Sequence, residues 1–367
     1  MRTFLCVPAF LGLGALLVAC SDDPTGPGGN NSGGDGPSSG AGAPLGGGGE
    51  GAANTTGGSA AGGDAPGGEG PGGGPSADGD PNLDGPYEVA AFTGSTVVAA
   101  TGNTVPMSGW APTSGPSAGP YPTVVIAHGF QLPASQYDSY AKRLATFGYV
   151  AITPEYPTSL FGLSHVDVAE DLIGTLDWAA SASELGGNAD VENAGMTGHS
   201  LGGKTSLLAA TMDARVKAVL ALDPVDSAMN CSAQNCPDMS SLMPSLAIPT
   251  GFLGETLDGT GSFQACAPTA DNYATFYAGA TSPSFSVTVL GANHMSFLDD
   301  VASCGFTCNF CQTATADNAT VNAMARAYAV AFFEKNLRNN SAYETYLTGA
   351  EADARYVATG QATIESK

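Results

Sequence analysis

Gly198-His199-Ser200-Leu201-Gly202 places a serine between two glycines, where the β-like run Asn193 to Thr197 gives way to the helical run Leu201 to Met212. Glycines on both sides allow a sharp, strained turn, and such a turn at a strand–helix junction lifts the hydroxyl clear of the backbone as a nucleophile. The plainer reading, a serine capping the following helix, uses the same residues. A serine hydroxyl is weak at neutral pH and needs a base, usually histidine oriented by a carboxylate. Where the serine of that set stands on a G-x-S-x-G turn from strand to helix, the chain order is serine, acid, histidine. Of four histidines, His128, His165 and His199 precede Ser200, so His294 in GANHMSFLDD is the candidate base.

The acid stays open between two residues. Asp223 in LALDPVD ends the strand after the nucleophile helix, and Asp258 in GFLGETLDG ends the next one. Asp226, Glu255, Asp299 and Asp300 read as surface or loop-capping carboxylates. Backbone N–H groups of Leu201 and of Phe130 in HGF would form an oxyanion hole. The Phe130 ring would wall the acyl pocket or pack in the core. Lys204 lies in the first turn of the helix after Ser200, where the helix dipole disfavours a cation. A surface position is the ordinary reading for it.

These residues need a frame that brings them to one edge. Pro122 to Ala127, Tyr149 to Thr153, Asn193 to Thr197, Val216 to Leu222, Pro249 to Gly254 and Ser284 to Leu290 are short apolar runs that read as buried strands. Between and after them, Ser139 to Phe147, Val166 to Ala180, Leu201 to Met212 and Thr320 to Leu337 carry helical apolar stripes. Alternating strands and helices predict an α/β class domain, a mostly parallel sheet covered on both faces. Ligands sit beyond the carboxyl ends of such strands. His128, Ser200, Asp223, Asp258 and His294 all fall just after predicted strands.

The rest of the chain bounds where this chemistry takes place. Residues 1–20 carry an early Arg, an apolar stretch too short to span a bilayer, and Leu17-Val18-Ala19-Cys20, which resembles a lipobox with Cys20 as the lipidated residue. An exported lipoprotein is expected, and Ser21 resembles those sent to an outer membrane or cell surface. Residues 21–86 are Gly, Ser, Pro and Ala with scattered acids and no Lys or Arg. Such a segment cannot bury enough surface to order itself. As a flexible linker of roughly 66 residues it would reach about 45 Å. Residues 87–340 are expected to form one domain, with 341–367 as a C-terminal extension.

The formal net charge of −23 argues against nucleic acid or an anionic membrane face as partner, leaving membrane contact to the N-terminal lipid. A monomer acting on a small hydrophobic ester, without cofactor or metal, is the expectation. Cys231, Cys236, Cys266, Cys304, Cys308 and Cys311 make an even six in an exported chain and suggest disulfides, with pairing undetermined. Cys304-x3-Cys308-x2-Cys311 could also be read as a metal clip.

VIAHGF, GHSLGGK, LDPVD, FLGE, ACAP and HMSFLDD, in this order between Pro122 and Asp300, resemble the chlorophyllase family of α/β-hydrolases. The resemblance implies an α/β-hydrolase fold, a serine esterase acting through an acyl-enzyme, and Asp223 as the acid. Two departures touch specificity: Leu201 where plant members usually carry Arg, and Met-Ser-Phe after His294 where theirs is closer to Leu-Asp-Met. The chain is also similar to cutinase-like polyester hydrolases, against which Asp258 would be the acid. A non-catalytic surface-binding protein on the same scaffold is a third reading, disfavoured by the intact serine, histidine and acid.

Overall fold

A computed structural model describes residues 79–159, 162–227, 231–260 and 265–367. The expected signal, Cys20 and the linker up to residue 78 lie outside the described residues. The elements in chain order are β1 (Glu88–Val97), β2 (Thr104–Ser114), β3 (Tyr121–Ala127), α1 (Asp138–Thr146), β4 (Val150–Pro154), α2 (His165–Ala179), β5 (Ala189–His199), α3 (Leu201–Met212), β6 (Val216–Leu222), α4 (Met239–Leu242), β7 (Thr250–Glu255), α5 (Tyr273–Gly279), β8 (Ser284–Val289), α6 (Asn318–Leu337) and β9 (Ala362–Ser366).

Nine strands form one sheet in the order β1-β2-β4-β3-β5-β6-β7-β8-β9. The six strands from β4 to β8 are parallel, while β1, β2 and β9 run antiparallel at the edges. The central strands are buried on both faces because helices cover both: α1 and α6 share one core with Ile126, Leu220 and Val287, and α2 and α3 share the other with Val125, Val219 and Phe252. The α/β architecture is the one expected from the alternating runs. Among the described residues no helix is long and apolar enough to cross a membrane.

Helix starts follow local chemistry. Ser164 accepts the Asp167 N–H at the head of α2, and Asp317 accepts that of Thr320 at the head of α6, each satisfying an amide with no intrahelical acceptor. The C-terminal segment adds to the sheet: β9 pairs with β8 in register Val287 to Ile364. Before β1, Asp80 takes two hydrogen bonds from the Arg355 guanidinium, so residues on both flanks of 87–340 pack onto this unit.

The six downstream cysteines form three disulfides, Cys231–Cys236, Cys266–Cys311 and Cys304–Cys308. Their sulfurs are thereby bonded to one another, which leaves no thiolate for the metal reading of the Cys304-Cys308-Cys311 run.

Candidate active site

Ser200 stands between β5 and α3 with φ 57° and ψ −120°, a conformation that costs a non-glycine residue energy and persists only where the surroundings enforce it. The two flanking glycines make the turn feasible. A Cβ on Gly202 would run into the Ala127 carbonyl of β3, and one on Gly198 into the backbone of Gly202. Ser200 occupies the N-cap position of α3, yet its side chain makes no capping bond. It is instead directed at His294.

His294 opens a short 3-10 turn, His294–Phe297, after β8, held by a reciprocal cap between Asn293 and Ser296. Its Nε2 lies 2.9 Å from Ser200 Oγ and its Nδ1 lies 2.6 Å from Asp223 Oδ2. A carboxylate only accepts, so Nδ1 carries the proton and Nε2 receives the serine O–H. Asp223 follows β6 with φ 43°, fully buried, its own N–H donating to the Leu253 carbonyl at 2.6 Å. Burial by itself would lower the His294 pKa, but the hydrogen bond and charge of Asp223 outweigh it and hold the value above the ordinary one. Burial pushes Asp223 upward, with His294 pulling against it. A proton on Nδ1 donates across the 2.6 Å contact and leaves Nε2 to accept from Ser200.

Asp258, the other candidate acid, is almost fully buried and also reaches His294, though not its ring. Its Oδ2 accepts the His294 backbone N–H at 2.8 Å and its Oδ1 accepts the Gln312 N–H at 2.7 Å. Asp223 therefore holds the imidazole, and Asp258 holds the loop that carries it.

Phe130 is half-buried and Leu201 buried. Leu201 is the first residue of α3, so its N–H has no intrahelical acceptor. Around Phe130, the Gly129 N–H donates to Tyr137 Oη at 3.3 Å and the Gln131 N–H to Thr158 Oγ1 at 3.1 Å. The Phe130 and Leu201 amides themselves meet no acceptor among the described residues. Both amides thus stay available to a developing oxyanion.

Among the neighbouring charges the surface positions need correction, while Asp226 and Glu255 do cap backbone N–H groups, from buried sites. Lys204 is not a surface residue: it is fully buried, its Nζ 2.5 Å from Asp226 Oδ1 and 3.1 Å from the Asp226 carbonyl. Its charge is tolerated against the helix dipole because a carboxylate from the segment after β6 comes to meet it. Asp226 is likewise mostly buried and accepts the Met239 and Ser240 N–H groups at the head of α4. Glu255 is buried at the end of β7, accepting the Asp258 N–H; burial, reinforced by the charge of Asp223, pushes it up to about 7. Asp299 and Asp300 do cap loops, through the Ser139 and Ala302 N–H groups. Sequence reasoning set His199 aside because it precedes Ser200, but its ring packs 4.6 Å from that of His294.

Chlorophyllase-1 of Arabidopsis thaliana is 29% identical over 199 residues, covering 50% of this chain and 61% of the relative. Chlorophyllase-2 of the same plant is 26% identical over 204 residues, 50% of this chain and 62% of the relative. A bis(hydroxyethyl) terephthalate hydrolase of Streptomyces coelicolor is 31% identical over 203 residues, 54% of this chain and 57% of the relative. The chain thus spans about six tenths of the length of these curated relatives. The family profile described as Chlorophyllase matches residues 84–354, from the segment before β1 to the last helical turns, and on that match the chain belongs to the chlorophyllase family.

Proposed function

We propose that this chain hydrolyses carboxylic esters of hydrophobic substrates, with Ser200 as nucleophile, His294 as base and then acid, and Asp223 as the group that orients and charges His294. The observation that carries this reading is the unbroken path Ser200 Oγ, His294 Nε2, His294 Nδ1, Asp223 Oδ2, at 2.9 and 2.6 Å. Ser200 Oγ attacks the ester carbonyl while His294 Nε2 takes its proton. The carbonyl oxygen becomes an oxyanion facing the amides of Phe130 and Leu201, which need little reorganisation because no acceptor among the described residues holds them. Collapse breaks the bond to the alkoxide, which leaves with the proton from His294. Water then attacks the acyl-serine, His294 taking its proton and returning one to Ser200. The scheme as written calls on no metal or cofactor.

The assay is hydrolysis of p-nitrophenyl butyrate by wild type and Ser200→Ala. Turnover by wild type with a loss of about 10⁴-fold or more in the alanine variant is expected. Turnover unchanged in Ser200→Ala sinks the serine mechanism, and an inactive wild type favours the non-catalytic surface-binding reading.

A polyester substrate is the second reading, favoured by the terephthalate ester hydrolase among the relatives. Comparing chlorophyll with bis(hydroxyethyl) terephthalate as substrates separates the two. We further propose that the protein is an exported, monomeric lipoprotein tethered to an outer membrane or cell surface through Cys20.

A further inference from the structure

Tyr137 and His199 are fully buried beside the site, and the scheme above gives neither of them a task. His199 Nε2 lies 2.8 Å from the His294 carbonyl. A carbonyl only accepts, so Nε2 bears the proton and Nδ1 is left as acceptor. Nδ1 lies 2.8 Å from Tyr137 Oη, which must therefore donate to it. The Tyr137 oxygen in turn accepts the Gly129 N–H at 3.3 Å. The whole path, Gly129 N–H to Tyr137 to His199 to the His294 carbonyl, has one consistent proton order.

Its two ends are the two loops the reaction has to align. Gly129 directly precedes Phe130, whose amide would face the oxyanion, and His294 carries the base. The middle, His199, directly precedes Ser200. The contact with the first loop is close: a Cβ on Gly129 would stand 3.1 Å from His199 Nδ1 and 3.5 Å from Ser200 Cβ. Burial, with the neighbouring His294 acting in the same direction, keeps the His199 imidazole neutral, so it adds no charge against an imidazolium forming 4.6 Å away.

We propose that Tyr137 and His199 form a positioning strut that fixes the Gly129–Phe130 loop and the His294 loop at set distances from Ser200, an inference that rests on the ester-hydrolysing reading above. Neither residue touches substrate. A residue filling the core for packing alone could be replaced by an apolar side chain of similar size without changing turnover. A strut could not, because its two hydrogen bonds set where the base and the oxyanion donor stand.

The test uses the full chain with p-nitrophenyl butyrate, measuring kcat, KM and Tm for wild type, Tyr137→Phe, His199→Leu, His199→Gln and His199→Asn. His199→Leu should lower kcat about 100-fold, the scale of a displacement on the order of 1 Å at a reacting group, with KM within about threefold. Glutamine, whose terminal amide falls near the position of imidazole Nε2, should recover kcat to within about tenfold of wild type, since it restores the bond to the His294 carbonyl. Asparagine is too short to make that bond and should stay near the leucine level. Tyr137→Phe removes one oxygen and should cost about tenfold in kcat. Changes confined to KM or Tm, or glutamine no better than leucine, overturn the strut. If His199→Leu does not fold, Tyr137→Phe decides: unchanged kcat overturns the proposal. Activity abolished by Ser200→Ala but indifferent to Tyr137 and His199 refutes the strut alone, whereas activity surviving Ser200→Ala refutes the underlying mechanism.

Discussion

Replacing Asp223 and Asp258 separately by asparagine separates two roles that the sequence leaves interchangeable. Asp223 Oδ2 faces His294 Nδ1 at 2.6 Å in a fully buried setting. Asparagine there keeps the shape but removes the charge. With charge centres about 4 Å apart and an effective dielectric near 20, an imidazolium loses about 4 kcal/mol of attraction. At 1.36 kcal/mol per tenfold, that is roughly 10³-fold in the step that forms the imidazolium. If the new NH₂ turns toward Nδ1, the imidazole is driven to the other tautomer and Ser200 has no base, so the loss grows to about 10⁴-fold.

Asp258→Asn acts on the backbone instead. One acceptor remains for either the His294 N–H or the Gln312 N–H, and the NH₂ opposes the other. A displaced loop of this kind should cost about 10- to 100-fold in kcat. The pH profile discriminates further. In the free enzyme His294 must be neutral to act, so activity rises with pH through its pKa, which the Asp223 hydrogen bond and charge raise against the effect of burial. Asp223→Asn leaves burial unopposed by that charge and should move the acid limb of kcat/KM to lower pH. Asp258→Asn should move it less, since Asp258 is the weakest of the charges that raise His294. Steady-state hydrolysis of p-nitrophenyl butyrate from pH 5 to 9, normalised to titratable active sites, supplies both numbers. A larger kcat loss in Asp258→Asn, or losses below tenfold in both, would refute the assignment of the ring contact as the catalytic one.

Further predictions concern stability and location. Lys204→Met strands the buried Asp226 carboxylate, which still accepts from the Met239 and Ser240 amides but loses its cation; it should cost about 3 kcal/mol in urea unfolding at pH 8, and adding Asp226→Leu should restore most of it. Additive single effects would show that the pair is not coupled. Glu255, pushed from 4.5 to about 7 by burial and Asp223, holds its proton in the folded state where the unfolded chain has lost it. Its contribution is therefore fully present below pH 4.5 and is lost as pH rises through about 7; the fall in Tm over that window should be shallower in Glu255→Gln, and an equally steep fall would exclude Glu255 as its source. Cys20→Ser should shift the exported chain from the detergent phase to the aqueous phase on Triton X-114 partitioning, and unchanged partitioning would rule out lipidation at this residue.

What was legible in the sequence follows from burial. The strands from β3 to β8 are covered on both faces, so each reads as a short apolar run, and the predicted starts and ends fall close to the observed ones except at β5, which begins four residues earlier, at Ala189, and ends two later, at His199. The edges were not visible for the opposite reason. In β1, EVAAFTGSTV, half-buried and exposed positions are mixed among small and hydroxylated residues, and β2 contains Pro106 and Gly109. β1 is the outermost strand, where periodicity is weakest, and Pro106 of β2 lies just outside the Met107–Trp110 stretch that pairs with β4. Lys204 was misread because its partner lies 22 residues further along and reaches it only once β6 has crossed beside β5.

The ambiguity between Asp223 and Asp258 has a physical origin of the same kind. Both end a strand of the parallel sheet, both are buried, and both converge on His294, so no pattern along the chain could rank them. The distinction is which group of His294 each one meets. Asp223 takes the ring, Asp258 the backbone N–H, and the carbonyl goes to His199. Ser200 needs no such set of partners, since β5 and α3 fix it from both sides. His294 sits on a loop two strands beyond β6, and loops are the mobile part of a fold. On the proposed mechanism, His294 must stay 2.9 Å from a fixed Ser200 and therefore has to be tied by every polar group it owns. The ties extend outward: the Gln312 amide shares Asp258 with His294, the Gln312 carbonyl accepts from Asn293, and its neighbour Cys311 is bonded to Cys266. Rigidity at this site is thus supplied by hydrogen bonds to backbone groups, which carry no signature in residue type at the receiving end and become readable only in three dimensions.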